Sequence, residues 1–347
     1  MSIRKELQEI PNALRQMLEK GRPQYEALVR RVGWGEKPIF LLAGARAYPT
    51  ALMGAWAFQS LLGAPVVAAR AGNFNAYTCR VVGARSLVIA MGGGEDLVQA
   101  VKKAKSQGAV VWAAAPNPGG PLAEIADAVI DCFQGDSAND STRYNFCRHA
   151  AMVFLAVAAT KVLKAPTVAL DSQEEEFEAL PRHVEWVLNH ISDAASAFAR
   201  EFRPLTDLRI VGGGAFFPIA IQSAGRLYRE AQIPAHGCDL LDFQEGFCGV
   251  TRPGSGVLYL SSSRCGLKTR VHDSVREVRQ GKSRKIFALT DDNDRQLSER
   301  ADAAVLFPVL TEAGGALIAL AFLELVAFYT AQPARMTSAH GRGAEKA

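Results

Sequence analysis

The sequence predicts an α/β protein built from two flavodoxin-like three-layer α/β/α lobes with parallel sheets, related by internal duplication. Three observations predict it. Continuous apolar runs of strand length alternate with helical patterns, the signature of parallel strands buried on both faces. The order of those runs occurs twice along the chain. Local details recur at matched places: Ala47-Tyr48-Pro49 against Phe216-Phe217-Pro218, and LAEIADAVI against LSERADAAV.

The first copy opens with the strand PIFLLAG, followed by a loop and the helix ALMGAWAFQSLLG. A short strand PVVAARAG follows, then SLVIAMGGG, the helix EDLVQAVKKAKSQG, the strand GAVVWAAAP, a short helix PLAEIAD and the run AVIDCF. The second copy gives DLRIVGGG, the helix FFPIAIQSAGRLYREA, then GVLYLSSSRCG, KTRVHDSVREVRQG, RKIFALTDD, QLSERAD and AAVLFPVL. Duplication of one unit explains a repeat of this length more economically than chance. Between the copies lie a long helix after Arg143, an acidic stretch over 171–178 and a helix over 182–202. The expected organisation is an N-terminal helical arm (1–36), a first α/β domain (37–170), a linker helix (171–204), a second α/β domain (205–332) and a C-terminal tail (333–347).

Composition narrows the function classes. The chain has 347 residues, 49% hydrophobic and 21% charged, with a net charge of +4. That is a globular balance, not the clustered basic excess of a nucleic-acid binder. The N-terminus is a charged amphipathic helix without the apolar core of a signal peptide. The run over 313–329 contains Glu324 and two glycines and reads as a buried helix, not a membrane span. The six cysteines form no CxxC pair and imply no disulfides. A cytoplasmic protein without membrane or nucleic-acid partners is the expectation. His149, His183, His190, His236, His272 and His340 have no metal-ligand spacing, and no phosphate-loop or dinucleotide fingerprint is present, so no metal or cofactor is expected.

Several short motifs in order carry a family resemblance. The opening ELQEIPNALRQML is similar to E-I-x-E-Q-P-x-A-L-R. Gly44-Ala45-Arg46 falls on Gly-Thr-Ser, Met91-Gly92-Gly93-Gly94-Glu95-Asp96 on Ser-Gln-Ser-Gly-Glu-Thr, and Ser141-Thr142-Arg143 on Ser-Thr-Lys. In the second copy the stretch ending in Arg226-Leu227-Tyr228-Arg229-Glu230 falls on Ala-Leu-Lys-Leu-Lys-Glu, in register at Glu230. Asp242-Phe243-Gln244-Glu245-Gly246 falls on Glu-Leu-x-His-Gly, and Gln332-Pro333-Ala334-Arg335 on a C-terminal Gln-Pro-Arg. Over essentially its whole length the chain resembles the double-SIS sugar isomerases: the isomerase module of glucosamine-6-phosphate synthase, the fructosamine deglycases and the amino-sugar phosphate isomerases. As given, the sequence opens on the isomerase lobe without a glutaminase segment. The expectation is therefore an isomerase, deaminase or deglycase, not the synthase.

The resemblance implies a sugar-phosphate ligand and a homodimer whose site lies at or near the subunit interface. Its phosphate-binding positions are Gly44, Ala45, Arg46, Gly92, Gly93, Gly94, Glu95, Ser141, Thr142 and Arg335. Most of the family's hydroxyls are gone from them, leaving backbone amides, the Arg46 fork and the Ser141–Thr142 pair to hold an anion. Asp96 beside a phosphate would repel it and is expected to point away. Glu230 matches the family's base, which moves a proton between C1 and C2 through an enediol. Arg226 stands where the resemblance puts a lysine; always charged, it acts electrostatically. Glu245 replaces the ring-opening histidine, and His236 is the candidate substitute acid. The glycines at 212–214 and serines at 261–263 read as turn and core residues. Two other functions stay open: a non-catalytic sugar-phosphate binding or sensing protein, and an enzyme acting on an unphosphorylated sugar derivative.

Overall fold

The computed structural model describes residues 3–32, 37–114, 120–135, 141–165, 170–247, 254–280 and 285–341, with side chains described as far as Gln332 in the last segment. Two compact units divide it: Glu9–Pro181, and Arg182–Ala347 together with Met1–Gln8.

The first unit takes α1 (Ile3–Gln16) from Glu9 onward, the residues before it belonging to the other unit, then a π-turn and α2 (Arg22–Val32). Next come β1 (Ile39–Ala43), α3 (Tyr48–Leu62), β2 (Val66–Arg70), α4 (Ala71–Ala76), β3 (Leu87–Met91) and α5 (Glu95–Ser106). β4 (Val110–Ala114), α6 (Pro121–Ile125), β5 (Ala128–Val129), α7 (Thr142–Val162) and α8 (Leu170–His190) complete it; Pro181, where the units divide, lies inside α8. The sheet is parallel in the order β2-β1-β3-β4-β5, the flavodoxin-like order. Because successive strand residues face opposite sides, Phe40, Leu42, Val88, Ala90, Val111 and Ala113 pack on Leu97, Ala100, Val101 and Ala104 of α5. Gly54 of α3 lies against Leu41 and Met152 on the other face, so α3 and α7 form the third layer.

The second unit starts with α9 (Ser192–Phe202), then β6 (Asp207–Gly212), α10 (Phe216–Ala231), β7 (Ala235–Asp239), α11 (Leu240–Asp242) and a π-turn over Phe243–Phe247. It continues through β8 (Ser255–Leu260), α12 (Lys268–Gln280), β9 (Lys285–Asp291), α13 (Arg295–Arg300), β10 (Ala303–Phe307) and α14 (Glu312–Gly341). Its parallel sheet runs β10-β9-β8-β6-β7, the same topology as the first. Val211, Val257, Tyr259, Ile286 and Ala288 pack on Val271, Val275 and Val278 of α12. On the opposite face Phe287 meets Phe198 and Phe202 of α9, and Phe198 meets Phe322 of α14, in tilted or edge-on ring contacts of 5.0–5.6 Å.

Two local readings change, and that of the last apolar run holds. β7 carries the polar sequence AHGCD, which has no apolar run to announce a strand; the edge position explains why it needs none. The acidic stretch over 171–178 is part of α8, and the helix expected over 182–202 breaks at Ile191. The apolar run over 313–329 lies within α14, where Glu312–Gln332 has the length to cross a membrane and contains an 18-residue window of mean hydropathy 1.8, yet 89% of that window is buried inside the protein.

Candidate functional site

In this topology the chain leaves β1 in opposite directions for its neighbours, so a crevice opens outside the carboxyl ends of β1 and β3. The register sets Ala43 opposite Met91 and Arg70, the last residues of three adjacent strands. The loops that follow are locked together. The Gly44 amide donates to Met91 O at 3.0 Å, and a Cβ on Gly44 would stand 2.1 Å from the carbonyl oxygen of Gly93. Gly92 has φ +92° and would place a Cβ 2.9 Å from Ala47 Cβ. These two glycines serve loop–loop packing, whereas Gly93 and Gly94 are exposed and have open space where a side chain would begin.

The Gly44 contact gives a direct expectation. In Gly44→Ala the obstacle is backbone, which cannot rotate aside, so the 92–94 loop must move at a cost of about 1–3 kcal/mol. The variant should melt lower and bind a sugar phosphate at least roughly tenfold more weakly, a ratio worth about 1.4 kcal/mol. Calorimetric titration checks this; unchanged affinity would place the ligand elsewhere.

Arg46 is exposed on the turn Ala45–Ala47; the Ala45 side chain lies outside the described residues. Arg70, at the carboxyl end of β2, stacks its guanidinium over the Tyr48 ring at 4.3 Å from the centroid. Glu95 and Asp96 occupy the first turn of α5, where they complement the helix dipole. Asp96 lies toward α4, its Oδ2 3.8 Å from the place of a Cβ on Gly72. Ser141 caps α7, its hydroxyl accepting from the Tyr144 amide at 3.2 Å, and Thr142 behind it is fully buried. Further along α7 the buried His149 has Nδ1 2.8 Å from Asn145 O and 3.4 Å from Thr50 Oγ1 of α3. That contact sets the start of α7 at the same end of the sheet as the start of α3. Burial, with Arg148 adding to it, lowers the His149 pKa to about 4.

In the second unit Arg226 and Glu230 share one face of α10, Nη1 to Oε1 3.3 Å. Arg226 is nearly fully buried, and its Nε lies 3.1 Å from Glu324 Oε2 on α14, itself 1% exposed. His236 is exposed near the amino end of β7, with Nε2 4.0 Å from Asp207 Oδ1; Glu245 is exposed beyond the carboxyl end of that strand. The structure therefore joins Arg226 to Glu230 and sets His236 and Glu245 at opposite ends of β7. The Arg335 side chain lies outside the described residues.

The matching crevice of the second unit is filled from within. Glu312, the first residue of α14, accepts the Ala215 amide on Oε1 at 2.9 Å and the Gly266 amide on Oε2 at 3.1 Å. Burial raises its pKa, and the two amides pull it back down. Ser261 and Ser262 are wholly buried, and Ser263 donates to Asp291 Oδ2 from both its amide and its hydroxyl, at 2.8 and 2.9 Å. Among the described residues no group of three His, Cys, Asp or Glu side chains is arranged to hold a metal ion.

Sequence reasoning missed Arg70, Glu312 and Glu324. Arg70 ends an edge strand and carries no motif. Glu312 was legible through the repeat: it heads the helix equivalent to the one Thr142 heads, an acid in place of a hydroxyl. Glu324 is the lone charge in an apolar run, which calls for a buried counter-charge.

Two parallel sheets of one topology, with paired loops at the carboxyl ends of their central strands, define the class. Residues 34–172 match the family model described as SIS domain. Among curated proteins it is 25% identical, over 333 residues and 94% of its length, to the glutamine–fructose-6-phosphate aminotransferase (isomerizing) of Thermococcus kodakarensis, of which that region is 54%. The protein of the same name from Mycolicibacterium smegmatis is 25% identical over 78% of this chain and 44% of its own length. The chain thus spans about half the length of the curated relatives it matches. Among solved structures, the C-terminal domain of the glucosamine-fructose-6-phosphate aminotransferase from Francisella tularensis superposes with TM-score 0.83 at 16% identity, covering 95% of each chain. The tagatose-6-phosphate ketose/aldose isomerase of Escherichia coli gives TM-score 0.75 at 15% identity, covering 96% of this chain and 93% of its own. At these identities the structural likeness establishes the fold.

Proposed function

We propose that the chain is a phosphosugar-isomerase-type enzyme that binds a ketose or amino-sugar phosphate and isomerises, deaminates or deglycates it. One observation carries the reading. At the carboxyl end of β3, Gly93 and Gly94 stand open on a loop whose backbone is fixed by Gly44, with Arg46 and Arg70 at the same end of the sheet. Open amides and two guanidinium groups suit an oxyanion, and the Ser141-capped start of α7 adds a hydroxyl and helix N–H groups. Glu230 is assigned as base on its match to the family's glutamate, with Arg226 beside that carboxylate at 3.3 Å, Glu245 or His236 as auxiliary acid, and no cofactor. A cytoplasmic homodimer is part of the same reading. The relatives' names support the substrate class; the chain's own substrate is the proposal.

The test pairs two measurements. A thermal-shift screen against ketose and amino-sugar phosphates should raise the melting temperature, the dephosphorylated sugars much less. Equal shifts from both would move the ligand class to unphosphorylated sugars. Turnover of any hit should fall about 10²–10⁴-fold in Glu230→Gln if that carboxylate is the base. Undiminished turnover removes Glu230 from the mechanism. The second reading, a non-catalytic sugar-phosphate binder, is favoured by the commitment of Arg226 to Glu324; it predicts binding without turnover in the wild type.

A further inference from the structure

The two crevices can be compared residue by residue. Ala43 lies opposite Met91 in the first unit, and Gly212 opposite Leu260 in the second. The glycines at 92–94 are therefore equivalent to the serines at 261–263, and Glu95 to Arg264. By the order of elements α7 is equivalent to α14, so Thr142 corresponds to Glu312. The second loop has the composition better suited to an anion, three serines followed by a cation, where the first has three glycines followed by two acids.

That second crevice already holds an anion. The Glu312 carboxylate takes one N–H from each of two loops, Ala215 after β6 and Gly266 after β8, one oxygen to each. Two amides converging from separate loops on the oxygens of one group make a built oxyanion cradle. Two further facts place it. The Cys265 thiol is pushed up to about 12 by burial, with the Glu312 charge adding to it, so the carboxylate's field reaches that loop. The Ser262 hydroxyl, 0% exposed, makes no hydrogen bond among the described residues, leaving a buried donor in the cradle's own loop.

We propose that the second unit contains an oxyanion-binding site, of the phosphate or small-carboxylate class, that the chain occupies permanently with the side chain of Glu312. The carboxylate is a tethered ligand. It keeps the amide of the fully buried Ala215 from going unpaired and also takes the amide of the exposed Gly266. This inference uses only second-unit contacts and does not depend on the function proposed above.

The experiment empties the cradle. Glu312→Ala should melt several degrees below wild type in anion-free buffer, and millimolar inorganic phosphate or formate should restore most of that loss. The same additions to wild type report the first unit alone, so a failure there bears on the proposed function and not on this site. Calorimetric titration with phosphate should count one more bound anion per chain in the variant than in wild type. Glu312→Gln, which keeps the volume but not the charge, should show the same rescue more weakly. Equal anion response in wild type and both variants overturns the proposal. So does a variant that stays unfolded at every phosphate concentration, because the cradle then has no affinity for a free anion.

Discussion

Glu324→Ala is expected to destabilise the second unit by about 3–5 kcal/mol, the cost of stranding one member of a buried ion pair. Glu324 is 1% exposed, and Arg226 Nε is 3.1 Å from its Oε2, with only 6% of the arginine side chain in contact with solvent. Glu230 remains 3.3 Å from Nη1, but it is a partly exposed carboxylate and a weaker counter-charge. For a unit of this size the loss corresponds to a fall in melting temperature on the order of 10 °C. The double variant Arg226→Met with Glu324→Leu should recover most of it, because two apolar chains of similar volume need no counter-charge. Chemical denaturation of the wild type, Arg226→Met, Glu324→Leu and the double variant closes the cycle; single variants costing under about 1 kcal/mol would show that the pair is solvated.

The second large effect is a pH dependence set by His149. The Asn145 carbonyl can only accept, so Nδ1 carries the proton of the neutral ring, and Nε2 makes no hydrogen bond among the described residues. Protonating Nε2 would bury a cation beside Arg148. The folded-state pKa, about 4, lies below the ordinary 6.5, so between those values the unfolded chain binds more protons than the folded one. Stability is therefore complete above pH 6.5 and is lost as pH falls toward 4, by about 3 kcal/mol over the window. His149→Gln keeps a donor for the Asn145 carbonyl and removes the titration. Denaturant unfolding at pH 7 and pH 4 should show the wild type losing about that much more than the variant. Parallel losses would mean that the ring ionises inside the fold.

These two residues show where sequence reasoning stops. The doubly repeated order of strand-length apolar runs determined the α/β class and most of the segments that form central strands, because burial on both faces leaves an unbroken apolar pattern; the order of those strands in each sheet came from the structure. The same reasoning found the glycine loop after β3, since turns restrict residue type locally; Ser141 entered only as an anion-binding position implied by the resemblance, and its capping of α7 came from the structure. It did not find β7, whose edge position relaxes the requirement for apolar residues. Nor did it find Arg70 at the end of β2, the Glu324 partner of Arg226 or the carboxylate that fills the second cradle. Each of those depends on which groups meet across distant segments. Helix α14 decides both acidic contacts: its first residue reaches amides 97 and 46 positions earlier, and Glu324 meets α10. Periodicity shows which face of an element is buried. Only tertiary packing shows which buried charge lies against which amide, and that separates an open anion cradle from one the chain has already filled.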